Sequence, residues 1–212
     1  MDVAPLNQKT GYARWMKTQG LPVHTGHGMA DLRALEVRPY WRLGGQAAFI
    51  QLHGMQGITG AYIGEIPPGD ALMSERHLYE EVICILNGQG ATELWDDHGH
   101  KKMFEWNKWS LFAPPLNTTH RLLNGSREPV RFLAVTNAPL AFDIYRDENF
   151  VFNCPYSFKD RYYGEEDYFE VGKKRYVSGL INLWETNFIP DIKTAMLESL
   201  EVKGAGLRLA QF

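Results

Sequence analysis

The residues of this chain whose types and spacing could do chemistry fall in two short segments. In the first, Glu75-Arg76-His77-Leu78-Tyr79-Glu80-Glu81, residues 75, 77 and 81 share parity, so on an extended strand they point to one face. The same parity continues through Ile83 and Ile85, which places an apolar lining beyond the polar start. In the second, Pro115-Leu116-Asn117-Thr118-Thr119-His120-Arg121-Leu122-Leu123-Asn124, the residues Thr118, His120, Leu122 and Asn124 share a face by the same argument. If both strands line one barrel, His120 meets His77 and Glu81. Two imidazoles and a carboxylate on one side of a cation, with other positions open, suit non-haem iron(II) and O2 chemistry. A divalent metal ion is therefore expected on His77, Glu81 and His120. Glu75 has two readings: a fourth ligand, or a general base that stays off the metal. As a ligand, a second carboxylate favours harder ions, iron(II) first and manganese(II) next, over copper or a thiolate-type zinc site.

The remaining histidines, His24, His27, His53, His98 and His100, carry no comparable pattern and are expected to be structural. His98 and His100 lie in Asp96-Asp97-His98-Gly99-His100-Lys101-Lys102, which reads as a solvated hairpin turn. Asn124 is expected to orient the His120 strand through its amide. Tyr79, Trp95, Trp106 and Arg131 are expected in the pocket or the core. The two cysteines, Cys84 and Cys154, fit no CxxC or zinc-ribbon spacing and read as thiols. There is no Gly-rich phosphate loop, no GxSxG elbow and no HExxH helix.

Several elements must position these groups. From Ala48 to about Ala141 the sequence runs in short β-rich stretches separated by Gly, Pro, Asn and Asp: Ala48 to Leu52, Ala61 to Ile66, Glu81 to Leu86, Ala91 to Trp95, Ser110 to Phe112 and Arg131 to Thr136. Many short strands at close spacing predict an all-β barrel or sandwich. Before it, residues 1–47 form an arm with one short helix around Lys9 to Thr18, carrying Tyr12, Trp15 and Met16 as contacts. After it, residues 146–212 form an extension. This begins with an aromatic, acidic stretch from Phe150 to Phe169, and Pro190 opens a helix with Ile192, Met196, Leu197 and Leu200 near one face. A weak echo of residues 44–52 in residues 204–212 would mark the start of a second barrel if it were a true repeat.

The two segments resemble the motifs of the cupin superfamily, the type-2 conserved barrel. Gly69 lies upstream, Glu75 stands at the first His position, His77 at the second, Glu81 at the Glu and Gly88 at the closing Gly. Pro115, His120 and Asn124 match the second motif, with Asn117 in place of its Gly. A further resemblance, to the gentisate-dioxygenase-like branch, is carried by residues 77–81, by Leu86-Asn87-Gly88-Gln89-Gly90 and by residues 131–139. The resemblance implies a double-stranded β-helix, or jelly-roll barrel, over residues 48–145. It also implies three histidines and one glutamate at the typical site, from which Glu75 departs, and a homodimer paired through exchanged N-terminal strands.

Composition narrows the partners. With 44% hydrophobic and 22% charged residues in 212, the chain is of ordinary globular character. A formal net charge of -3 without a basic stripe argues against nucleic acid and for a small-molecule substrate. No apolar stretch approaches the roughly 20 residues of a membrane span, and Met1 to Pro5 have no secretory character, so a cytoplasmic location is expected. The function expected is a metal-dependent oxygenase on an aromatic or enolisable small molecule. The alternatives are a non-catalytic cupin that binds a ligand or metal, and an isomerase, decarboxylase or cyclase that needs no O2.

Overall fold

The computed structural model describes residues 10–55, 57–96, 98–171, 173–177 and 181–194. Its framework is a large sheet and a small one enclosing a common interior. The chain enters through helix α1 (Gly11–Thr18), strand β1 (Val23–Gly26) and a short 3-10 turn, Leu32–Ala34. Strands β2 (Arg38–Tyr40), β3 (Gly45–Leu52), β4 (Gly60–Ile66) and β5 (Glu81–Asn87) follow. Next come β6 (Gln89–Trp95), β7 (Lys101–Asn107), β8 (Leu111–Phe112), β9 (Thr119–Leu123) and β10 (Val130–Thr136). Helices α2 (Ala138–Tyr145) and α3 (Glu148–Asn153) close one side. The last strands are β11 (Lys173–Val177), β12 (Ile181–Glu185) and β13 (Phe188–Ile189).

The large sheet has eight strands, ordered β1-β3-β4-β10-β5-β8-β13 with β2 also on β3, and the small sheet is β7-β6-β9. An isolated bridge from Glu75 to His120 and another from Ala71 to Leu123 lay the segment before β5 along the free edge of β9. This is the all-β barrel expected, and each of the strand runs read from the sequence is present.

The two sheets differ in how they meet water. Along β5 the side chains Ile83 and Ile85 enter the interior core with Phe112, Phe132 and Trp106. Cys84 and Leu86 pack on the opposite face against Met29, Leu32, Leu35 and Val37 of the arm. Both faces of the large sheet are thus covered, which explains the near-continuous apolar runs in β3, β5 and β10. In the small sheet β7 alternates exposed and inward positions, with Phe104 and Trp106 inward. Three of its seven residues, Lys101, Glu105 and Asn107, are polar and exposed, so the run Lys-Lys-Met-Phe-Glu-Trp-Asn carries little strand signal.

The arm packs on its own barrel. Trp15 of α1 stacks on Phe142 of α2 at 4.5 Å and meets Phe49 edge-on at 5.5 Å. Strand β1 runs parallel to β3, Val23 beside Phe49 through Gly26 beside Leu52. Helices α2 and α3 went unread because their apolar residues sit in short runs, and tertiary packing of Phe142, Val151 and Phe152 secures them. Strand β13 pairs with β8, so the C-terminal extension adds an edge to the large sheet. Of the helix expected from Pro190, residues 191–194 form a turn, and Met196, Leu197 and Leu200 lie outside the described residues, as does the echo at 204–212. Cys84 and Cys154 are buried free thiols. Among the described residues no helix is long and apolar enough to cross a membrane.

Candidate metal centre

The segment carrying Glu75 and His77 bridges to His120 at Glu75, bends at Leu78 and Tyr79, and enters β5 at Glu81. Strand parity therefore breaks between residues 76 and 80, and tertiary contacts aim His77 instead. The Leu78 N–H donates to Val151 O, and the Asn117 N–H to His77 O. Two left-handed turns set the frame. Gly88, at φ 86°, turns the chain from β5 into β6, and a Cβ there would lie 2.5 Å from the Val130 side chain. Asn117, at φ 55°, occupies the position where the motif has Gly, and Asn is one of the few other residues that adopt this conformation readily. Its amide donates to the carbonyls of Cys154 (3.0 Å) and Tyr156 (2.7 Å), tying the extension to the His120 loop.

His77, Glu81 and His120 come together in the barrel, each at most 3% exposed. Their facing atoms, Nε2 of each imidazole and one carboxylate oxygen, lie within 4.8 Å of one another. Glu81 Oε2 is 3.5 Å from His77 Nε2 and 3.7 Å from His120 Nε2, and the two rings are perpendicular. The opposite atoms are all engaged. His77 Nδ1 is 2.8 Å from Tyr79 O and His120 Nδ1 is 2.9 Å from Thr118 O. Tyr62 donates its hydroxyl to Glu81 Oε1 at 2.7 Å. A carbonyl at Nδ1 demands the Nδ1–H tautomer, which turns each Nε2 lone pair inward. The Tyr79 ring lies flat on His77, 3.8 Å away and tilted by only 3°.

The three inward atoms, His77 Nε2, His120 Nε2 and Glu81 Oε2, are buried without hydrogen-bond partners. Orphaned buried polar atoms cost of order 1–3 kcal/mol each, so three converging on one point indicate a missing fourth participant. Ligand atoms about 2.1 Å from a cation stand about 3–4 Å apart, which the observed spacings match within small side-chain movements. All three are borderline or hard donors without sulfur. The residues present fit a divalent cation.

Electrostatics agree. Burial pushes the Glu81 carboxyl up, but the His120 and His77 imidazoles, 3.7 and 3.5 Å from Oε2, outweigh it and hold the group well below the ordinary carboxylate range. Burial lowers His120, and Glu81 with Glu75 more than reverses this. Burial, then repulsion from Glu81, raises the Glu75 carboxyl against the attraction of His77, His120 and Arg42. Glu75 stands beside the three but not among them, and its side chain lines an adjoining pocket with Arg42, Tyr40, Tyr62 and Tyr79.

Other expected residues resolve as follows. Asn124 donates to the carbonyls of Ile66, Pro67 and Glu128 and receives Ser126, so it pins the turn after β9 and does not face the centre. Trp106 is core, its indole N–H on Thr92. Arg131 ties Glu65 to the carbonyls of Arg33 and Leu35, fastening the arm. Trp95 lies on the outside of the small sheet, beneath Lys101 and Arg121. His27, His53, His98 and His100 are exposed and His24 rests on Glu36 O, none near the centre. Sequence reasoning missed Tyr62 and Arg42. Neither neighbours a ligand in sequence, and only the cross-barrel fold brings them in.

Residues 44–177, more than half of the chain, match the family model described as auxin binding protein. The chain belongs to the auxin binding protein family. This places it in the cupin superfamily, and nothing in the comparisons singles out the gentisate-dioxygenase-like branch. A search of curated proteins finds no match. Similar solved structures include the Lactobacillus farciminis oxalate decarboxylase formate complex, 21% identical over 51% of this chain and 32% of that one, TM-score 0.44. A Bacillus subtilis oxalate decarboxylase variant is 17% identical over 60% of this chain and 33% of its own, TM-score 0.44. The family member spans about a third of the length of these structures.

Proposed function

We propose that this chain is a metal-dependent cupin enzyme, an oxygenase of the gentisate-dioxygenase-like kind, acting on a small aromatic or enolisable organic substrate, with His77, Glu81 and His120 holding the cation. The observation that carries the metal reading is the convergence of three buried, unpartnered ligand atoms on one point. Iron(II), or manganese(II) as the next choice, would be held by His77, Glu81 and His120 and would supply Lewis acidity and redox chemistry. The protein's own part is orientation and exclusion of water. The Tyr79 and Thr118 carbonyls hold the Nδ1 protons of His77 and His120, and Tyr62 holds one oxygen of Glu81 so that the other stays free. Tyr12, Trp15, Phe49 and Tyr62 wall the adjoining pocket against water. Glu75, in that pocket with a raised affinity for protons, serves as the base that takes a proton from a substrate hydroxyl or α-carbon, or as a fourth ligand.

The test is the metal content of anaerobically purified protein, beside His77→Ala, Glu81→Ala, His120→Ala and Glu75→Gln, followed by O2 consumption with dihydroxybenzoates and 2-oxo acids. Near-stoichiometric iron that disappears in the three alanine variants, with O2 consumed on substrate, is the expected result. The Glu75 variant assigns that residue, as a ligand if iron falls and as a base if only turnover falls. Protein that holds no metal and takes up neither iron nor manganese would sink the proposal. The family's description favours a second reading, a non-catalytic cupin that binds a small ligand; ligand binding without O2 consumption or any other turnover would select it.

A further inference from the structure

A cavity of about 340 Å³ lies where the end of β6 and the start of β9 meet the C-terminal extension. That volume falls in the range of roughly 300–1,000 Å³ usual for small-molecule sites. It is separate from the metal centre, since none of Glu75, His77, Glu81 and His120 lines it. Its described charged groups are Arg76, Lys159 and Asp96, with His98 exposed beside them. Asp96 is already engaged: Oδ1 accepts from the His98 and His100 N–H groups at 2.9 and 2.8 Å, and Oδ2 lies 2.8 Å from His100 Nδ1. The two cations are not. Arg76 makes only two long bonds, from Nε to Asn117 Oδ1 and from Nη2 to Tyr156 O, each 3.4 Å. The rest of its five N–H donors stay open to a ligand. Lys159 is exposed and has no ion pair or hydrogen bond from its ammonium among the described residues.

The neutral wall narrows the ligand further. Thr118, Thr119 and Ser157 are half-buried on the cavity, and their hydroxyls make no hydrogen bond among the described residues. Each hydroxyl both donates and accepts, so the wall matches a body that carries hydroxyls of its own. Trp95, Tyr162 and Tyr163 add aromatic rings, against which the C–H face of a sugar ring packs. A purely aromatic acid would exclude water from the three hydroxyls and give them nothing in return, which is costly. We propose that this cavity is a binding site for an acidic monosaccharide, a pyranose carrying one carboxylate or phosphate group. Arg76 and Lys159 hold the oxyanion through charge-assisted hydrogen bonds, and Thr118, Thr119 and Ser157 bond the ring hydroxyls. The site stands whether or not the triad holds a cation.

Titration calorimetry on the intact protein tests the inference, with glucuronate, glucose 6-phosphate, glucose, inorganic phosphate and benzoate as probes. The expected result is that glucuronate or glucose 6-phosphate binds about tenfold or more tightly than glucose, inorganic phosphate and benzoate. The comparison of the two acidic sugars shows which oxyanion the cations take. Arg76→Gln and Lys159→Gln are each expected to weaken the tighter acidic sugar about tenfold, with the melting temperature of Lys159→Gln unchanged. No binding of either acidic sugar, glucose bound as tightly as both, or benzoate or inorganic phosphate bound as tightly as the better one overturns the proposal. So does an affinity that is the same in wild type and in Lys159→Gln. Should Arg76→Gln fail to fold, Lys159→Gln still decides, because that side chain is exposed and supports no other contact of the described residues.

Discussion

The small sheet carries one polar cluster on each face, and the two are built on opposite rules. On the outside, Glu93 of β6 accepts from Arg121 of β9 at 2.6 Å and from Lys101 of β7. Every charge there has its counterpart. On the inside, one residue along each strand, Leu94 pairs with His120, and His120 with His77 and Glu81 leaves three buried atoms facing one another unsatisfied. A set of polar groups that is complete in itself stabilises and orients strands, whereas a set that is incomplete to the same degree at one point asks for something the chain does not contain. Burial alone does not separate the clusters, since Glu93 is 5% exposed and Glu81 is 2% exposed. Satisfaction does.

The sharpest way to break the contrast is a thermal shift with added manganese(II). At a free concentration of 100 times Kd, the wild-type protein is expected to gain about 2.7 kcal/mol, a rise in melting temperature of roughly 5–10 °C for a domain of this size. His77→Ala and His120→Ala are expected to show no shift, and a shift that persists in both would place the metal elsewhere. Tyr62→Phe is the intermediate case. It removes the hydroxyl that holds Glu81 Oε1 while leaving the ligands in place, so metal affinity by calorimetry is expected to fall by about 10–100-fold. An unchanged affinity would reduce Tyr62 to packing.

The smallest effect belongs to the outer cluster. Glu93→Gln is expected to cost about 1 kcal/mol of stability in denaturant unfolding, because its partners are half-exposed, and to leave the manganese shift intact. The pH dependence has a definite sign. Burial would raise the Glu93 carboxyl, but hydrogen bonds from Lys101 and Arg121 outweigh this and hold it below its ordinary value. With the folded-state pKa depressed, its stabilisation is fully present above the unfolded value of about 4.3 and is lost as pH falls through the lower folded value. The difference in stability between wild type and Glu93→Gln should therefore shrink below about pH 4; a gap that widens there would contradict the arrangement.

These two clusters also show what was legible in the sequence. Glu81, His120 and the apolar residues after them lie on true strands, where period-2 parity gives facing, and so their inward aim could be read directly. His77 was reached by a parity argument that the fold does not honour, since the chain bends at Leu78 and Tyr79, and its agreement with the outcome owes more to the motif than to strand geometry. Asn117 in place of Gly proved compatible because both residue types tolerate a positive φ. Strand β7 and helices α2 and α3 were passed over, because a half-solvated strand and short apolar helices carry weak periodicity.

By itself the sequence determined the β-barrel class, the main strands along the chain and the inward aim of Glu81 and His120, because local alternation and turn residues are properties of neighbours along the chain, while His77 followed from the motif. Only the tertiary structure decided that Tyr62 holds Glu81 and that Glu75 lines a pocket with Arg42, Tyr40, Tyr62 and Tyr79. Those facts depend on side chains far apart in sequence meeting across the barrel, and on which of their polar atoms find a partner, which no spacing rule within one strand can specify.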